Sequence, residues 1–319
     1  ICELNVGQMI EAGDSRYSNI LMQVDKEGEN SVQRMEIKGK ECKVVEKLAP
    51  TQESISGTPE SLYGCMEWAV KYRPAKHYAL ILWDHGTGYL DPNMWKRIYE
   101  QKGIAFNDTH QVYITSPQLK TTLNRINNNL LSGQKIDILG FDACLMGGIE
   151  IASLAHSSSK YLVAAEEVAP GQGWNYKRLL SYFTKRELRP DELTPQMVSK
   201  HIVHAYEQEY KEHYPRFTLS AVDLELANNA EKTIAGFVYG IRNMLRAASG
   251  QALARLIARI RLDREKTTAF NDTNYVDLLH FLQSFQAELG NITYSYPIEQ
   301  LEAIGSLAAS TERAIAASV

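Results

Sequence analysis

Residues 135–150, KIDILGFDACLMGGIE, constrain this chain more than any other stretch. Ile136 to Phe141 form an almost wholly apolar run that meets Asp142, Ala143 and Cys144, and a helical pattern begins at about Met146. A short apolar run with β-branched residues, ended by a polar break, is the pattern of a buried strand in a parallel sheet. Cys144 therefore falls at the carboxyl end of a strand and the start of a helix. That edge is where open α/β sheets bind ligands. Unpaired N–H groups and the positive field of a helix N-terminus are expected there to lower a thiol pKa and to hold an oxyanion. The competing reading is a buried, inert cysteine, because free cysteine is among the most buried residue types.

A second apolar run, Tyr78 to Trp83 (YALILW), ends in Asp84, His85, Gly86, Thr87 and Gly88. His85 at a strand end, followed by glycine, is free to face a cleft, and Gly86 lets a substrate carbonyl approach the backbone. A lone histidine is more often structural. A histidine and a cysteine on two strand ends of one sheet favour a base and a nucleophile.

The segments WDHGTG (83–88) and GFDACLMGGIE (140–150) resemble the histidine and cysteine motifs of the clostripain-like cysteine peptidases, relatives of caspases, gingipains and legumains. AEEVAPGQGWNY (165–176) and TLSAVDL (218–224) resemble two further blocks, so the resemblance runs in order from about Ile20 to Leu226. It implies a caspase-like sandwich, with a mainly parallel central sheet flanked by helices, and a cysteine endopeptidase with a polypeptide substrate. Cys144 would attack the peptide carbonyl, His85 would protonate the leaving amine, and the N–H groups of Gly86 and Cys144 would hold the oxyanion. No third member is needed in such families. Adjacent strand residues point to opposite faces, so Asp84 is expected to be structural.

The clostripain-like family favours Arg or Lys before the scissile bond, which calls for a carboxylate at the base of the pocket. Asp142 matches one such position. Gln172 stands where the second acid is expected, a departure that weakens the case for strong basic selectivity. Glu166 and Glu167 are neighbouring candidates, or else a solvated or capping pair. Trp174 is a candidate pocket wall, or else core packing. Two other functions compete with an active peptidase: a catalytically silent binding scaffold of the same fold, and a metal hydrolase using Asp84 and His85. No second histidine stands at ligand spacing near His85, which disfavours the metal.

A chain of 319 residues suffices for one large domain or two, and a net charge of −4 gives no case for a nucleic-acid partner. No stretch approaches the length of a transmembrane helix. No signal-peptide pattern opens the chain, so a targeting segment is expected to have been removed or never to have existed. Cys2, Cys42, Cys65 and Cys144 show neither metal-ligand spacing nor a dense disulfide framework. No cofactor is expected. Some relatives of the family it resembles need calcium, and no EF-hand loop is present here. The resemblance points to export, as a secreted, periplasmic or cell-surface protein of a bacterium. Nothing in the sequence bears on oligomeric state.

Along the chain, residues 1–13 read as a helix, where the family it resembles usually has a preceding strand. Ser18 to Asp25 reads as a core strand, and 31–48 as two shorter strands at the sheet edge. Thr58-Pro59 starts a helix with Leu62, Cys65, Met66, Ala69 and Val70 on its apolar face. Residues 88–114 lack sustained periodicity, and Lys96, Arg97 and Lys102 there are the candidate sites for self-cleavage that the resemblance implies. Ser116-Pro117 starts a further helix; Tyr161 to Ala165 and Arg216 to Asp223 read as strands. Alternating strands and helices argue a doubly wound α/β sheet. Beyond 226 three helical stripes follow, led by Ile234, Leu278 and Leu301. The expected division is a catalytic domain, 1–226, and a helical subdomain, 227–319, packed on it.

Overall fold

The computed structural model describes residues 2–26, 28–89, 103–184, 187–214, 216–270 and 275–319. They form two compact units, Ile1–Ala221 and Val222–Val319.

The first unit opens with helix α1 (Cys2–Ala12) and strands β1 (Ile20–Val24), β2 (Val32–Lys38) and β3 (Glu41–Leu48). These strands are not the edge of the central sheet. They form an antiparallel sheet of their own in the order β1-β2-β3, because short connections let successive strands pair as hairpins. Helix α2 (Pro59–Tyr72) follows, and the Thr58 hydroxyl caps it by accepting from the Ser61 N–H at 3.1 Å. Pro59 at the first turn needs no donor there.

Strand β4 (Ala79–Trp83) leads into the histidine turn. Part of the stretch expected to be a structureless loop is a hairpin, β5 (Ile104–Asn107) with β6 (Val112–Ile114). Ala105 and Gln111, at φ 57° and 52°, sit in the left-handed region and break the alternation on which a strand reading depends. Helix α3 (Ser116–Leu130) has a Thr115–Gln118 capping box and buries Leu119, Leu123 and Ile126.

Strand β7 (Ile136–Asp142) is buried along its whole length. Helix α4 (Ile149–Ala155), strand β8 (Ser159–Ala164), helices α5 (Tyr176–Thr184) and α6 (Pro195–Tyr210) and strand β9 (Ser220–Asp223) complete the pattern. The sheet order is β4-β7-β8-β9, with β4, β7 and β8 parallel. This is the α/β architecture expected from the alternating pattern. Ile138 and Val163 face a core built with Trp174, Tyr176, Ile202 and Tyr206. Strand alternation sends Leu139, Phe141 and Leu162 to the opposite face, and all three are buried.

The second unit holds α7 (Leu224–Arg246), α8 (Gly250–Leu262), α9 (Leu278–Glu288) and α10 (Ile298–Ala316). Its core joins Phe237, Leu253, Leu282, Phe285 and Ile304, and the Phe237 and Phe285 rings meet edge to face at 5.2 Å. No described helix is long and apolar enough to cross a membrane.

Candidate active site

The β4–β7 register places the two motif turns together. Trp83 pairs with Asp142 as the last couple of the parallel ladder, and the Asp84 N–H reaches the Asp142 carbonyl at 3.4 Å. His85 and Cys144 each lie two residues beyond that couple. Gly86 packs onto the cysteine turn so closely that a Cβ there would stand 2.5 Å from the Cys144 carbonyl oxygen and 3.0 Å from Ala143 Cβ. Only glycine permits this approach.

Cys144 is not at a helix N-terminus. Residues 143–148 form a bend and turns, and α4 begins at Ile149, with Gly148 as its N-cap. Two glycines at 147 and 148 delay the helix, because a residue without Cβ favours tight turns over helix. Leu145 lies in the left-handed region at φ 62°, a conformation that non-glycine residues adopt under outside constraint. That constraint comes from the segment after β8. The Glu167 carbonyl accepts the Leu145 N–H at 3.3 Å, and the Ala165 carbonyl accepts the Gly147 N–H at 2.7 Å. A Cβ on Gly147 would stand 2.8 Å from the Ala165 carbonyl carbon.

The Cys144 thiol is half-buried, and its Sγ accepts the Ala169 N–H at 3.3 Å. Burial pushes the thiol pKa up, against the lowering that a helix end was expected to produce. The Ala169 N–H partly opposes this, and the nearby Glu167 and Asp142 charges add to it. His85 is exposed. Its N–H donates to Asp84 Oδ1 at 2.7 Å. Burial raises the Asp84 pKa, and the N–H groups of His85 and Phe106 counter that rise. The Asp84 carboxylate is thus occupied by backbone. Among the described residues no group of three His, Cys, Asp or Glu side chains is placed to hold a metal ion.

The β5–β6 hairpin braces the histidine turn. Gly86 bridges to Ile104, the Thr87 N–H reaches the Gly103 carbonyl at 3.3 Å, and the Gly103 N–H returns to Thr87 Oγ1 at 2.8 Å. At its other end Asn107 Nδ2 donates to Asp25 Oδ2 at 2.8 Å and to Ser56 Oγ at 3.1 Å. Lys96, Arg97 and Lys102 lie outside the described residues.

Asp142 turns into the protein. Its carboxylate accepts the Trp174 N–H at 3.0 Å and the Tyr176 hydroxyl at 2.9 Å. Burial lifts its pKa to about 6, with those two donors pulling the other way. Trp174 ends the PGQGW turn, where Gly173 at φ +68° brings the chain over the carboxylate, and Tyr176 opens α5. Trp174 is a core residue and not a pocket wall: it is 3 % exposed, and its ring lies where a Gly140 side chain would be, 2.8 Å from an added Cβ. Gln172 is exposed, and its carbonyl accepts from Asn5 Nδ2 of α1 at 3.4 Å. Glu167 is buried, with Oε1 accepting the Val168 N–H at 2.7 Å; Glu166 is half-buried.

Asn5 and Asn107 lie outside the recognisable blocks, while Leu145 and Ala169 lie within 140–150 and 165–176 without any signal of their roles. Thr218 lies within a recognisable block, but a hydroxyl's partners are set only by the fold.

Together these features define an α/β protein that presents a histidine and a cysteine on adjacent turns at the carboxyl edge of a parallel sheet. The model of the clostripain family, peptidase family C11, matches residues 3–298. The chain belongs to that family. It is 27 % identical over 132 residues to clostripain of Hathewaya histolytica, a match covering 40 % of this chain and 24 % of that protein. Its fold is similar to an inactive zymogen C11 protease from Parabacteroides distasonis, with a TM-score of 0.61 at 17 % identity over 95 % of this chain and 74 % of that one. It is also similar to a secreted C11 cysteine protease from Bacteroides thetaiotaomicron in complex with an irreversible peptide inhibitor, with a TM-score of 0.62 at 14 % identity over 96 % and 76 % of the two chains.

Proposed function

We propose that this chain is a cysteine endopeptidase in which Cys144 attacks the peptide carbonyl and His85 takes the thiol proton and delivers it to the leaving amine. The supporting observation is the register: two turns leave the sheet side by side from the Trp83–Asp142 couple. Because burial holds the resting cysteine as the thiol, deprotonation by His85 accompanies substrate binding. The N–H groups of Gly86 and Cys144 serve as the oxyanion donors; the hairpin bridge uses the Thr87 N–H instead of that of Gly86.

Cleavage after Arg or Lys is the substrate preference we infer. Asp142 is a buried carboxylate, and among the described residues the groups that act on its pKa are the Trp174 N–H and the Tyr176 hydroxyl, neither of them a cation. A guanidinium or ammonium from substrate would compensate that charge in a desolvated site. Gln172 supplies no second charge, so the preference rests on Asp142. A basic-specific enzyme would also accept its own Lys96, Arg97 or Lys102. The Thr87–Gly103 hydrogen bonds and the β4–β7 ladder tie the two sides of 88–102 together, so both fragments would stay associated after a cut. We also infer export, by analogy with the secreted relative.

Purified wild type, Cys144→Ala and His85→Ala assayed on a peptide library, with denaturing gels over time, test this reading. Wild type should cut after basic residues and nick itself within 88–102, and both variants should do neither. More than trace peptidase activity in folded Cys144→Ala would sink the mechanism. A profile dominated by acidic or apolar residues would sink the specificity alone.

A further inference from the structure

We propose that Thr218 is a positioning residue for the Cys144 nucleophile, acting through the segment 165–169. The inference rests on the reading of Cys144 as nucleophile.

Thr218 Oγ1 accepts the N–H groups of both Glu166 and Glu167, each at 2.9 Å. Successive N–H groups of an extended strand point to opposite sides. Here two in a row converge on one oxygen, so the backbone bends out of the line of β8, as the bends at 166 and 167 record. Converging amides of this kind form a concave donor site that anions commonly fill, and a neutral hydroxyl fills it in this protein.

The bend sets three contacts to the cysteine turn. The Ala165 carbonyl takes the Gly147 N–H, the Glu167 carbonyl takes the Leu145 N–H, and the Ala169 N–H reaches Cys144 Sγ. Leu145 is the left-handed residue directly after the nucleophile. Its unfavourable conformation persists because that carbonyl holds it. Among the described residues, the Ala169 N–H is also the group that favours the thiolate against burial. Removing the hydroxyl takes the shared acceptor away from two amides, and the segment must shift to give them another. Sγ then loses its donor, although Thr218 touches no reacting atom.

The test uses Thr218→Val, Thr218→Ala and Thr218→Ser, with Cys144→Ala as a control. Iodoacetamide modification of Cys144, read by mass on its own peptide across pH, reports the thiol without requiring turnover. In Val and Ala the midpoint should rise by about one pH unit, as expected when a hydrogen bond to the charged form is lost. Their kcat should fall about tenfold, with KM held within about twofold. Ser keeps the oxygen and should behave as wild type. A folded Val or Ala variant with an unchanged labelling midpoint and kcat overturns the proposal. Unfolding of both, with Ser intact, overturns it too, because the hydroxyl would then hold the fold and not the nucleophile. Activity retained by Cys144→Ala would remove the nucleophile reading, while the labelling midpoint would still report separately on the Thr218 contact.

Discussion

Replacing Asp142 by asparagine should change stability in a way that depends on pH with a known sign. Asp142 has a folded pKa of about 6 against an ordinary value of 3.8, with burial as the main cause. An acid whose folded pKa is raised opposes folding. The penalty is absent below the unfolded pKa, grows between the two values, and is fully present above the folded one. Two pKa units correspond to about 3 kcal/mol at the neutral limit. The amide of Asp142→Asn would carry no such penalty, but its NH2 group would lack an acceptor among the Trp174 N–H and Tyr176 O–H donors. That adds a cost of about 1–3 kcal/mol that does not vary with pH. The two effects nearly cancel at neutral pH, so the sign of a single measurement decides little. The slope does decide: the stability of the variant relative to its parent should improve by about 2 kcal/mol between roughly pH 4 and pH 7.5. Urea unfolding followed by tryptophan fluorescence, with both proteins in a Cys144→Ala background to prevent self-digestion, would measure it. A stability difference constant within about 0.5 kcal/mol across that range would refute the argument that Asp142 is held as a raised, uncompensated acid. In the active background, the same substitution should weaken cleavage after Arg or Lys.

Two further outcomes follow from close contacts. Gly86→Ala puts a methyl 2.5 Å from the Cys144 carbonyl oxygen, so the two turns must separate; kcat should fall by about a hundredfold, and wild-type kinetics would show that the turns are not packed as described. Asn107→Ala removes the donors to Asp25 and Ser56 that dock the hairpin. It should cost about 1–3 kcal/mol in thermal or urea unfolding, and an unchanged midpoint would show that the hairpin does not depend on this anchor.

Much of the fold was legible because burial writes itself into composition. β7 is buried on both faces and reads as a nearly continuous apolar run. α2 and α3 begin at Thr-Pro and Ser-Pro signals whose capping is a local matter. Three of the four described α-helices of the second unit were equally plain, since the stripes led by Ile234, Leu278 and Leu301 meet in its core; α8, which adds Leu253, Leu256 and Ile260, was not singled out. The placement of His85 and Cys144 just beyond the ends of β4 and β7 was legible for the same reason: a polar residue that ends an apolar strand has few places to go.

What the sequence could not reveal depends on partners distant along the chain. β1, β2 and β3 have the residues of strands, but nothing local says that they pair only with one another and form a separate sheet. Trp174 is equally suited to a pocket wall and to a core, and the bare Gly140 on β7 decided for the core. The thiol environment departs from the expected one because two glycines postpone α4 and the turn is buried, so desolvation outweighs any helix field. Sequence alone therefore determined which strands carry His85 and Cys144 to one edge of the sheet. Only the tertiary structure decided how they are held, because Ala169 and Glu167 reach the cysteine turn through hydrogen bonds from more than twenty residues away, and Thr218 in turn holds that segment through the Glu166 and Glu167 N–H groups; such bonds leave no periodicity in the chain.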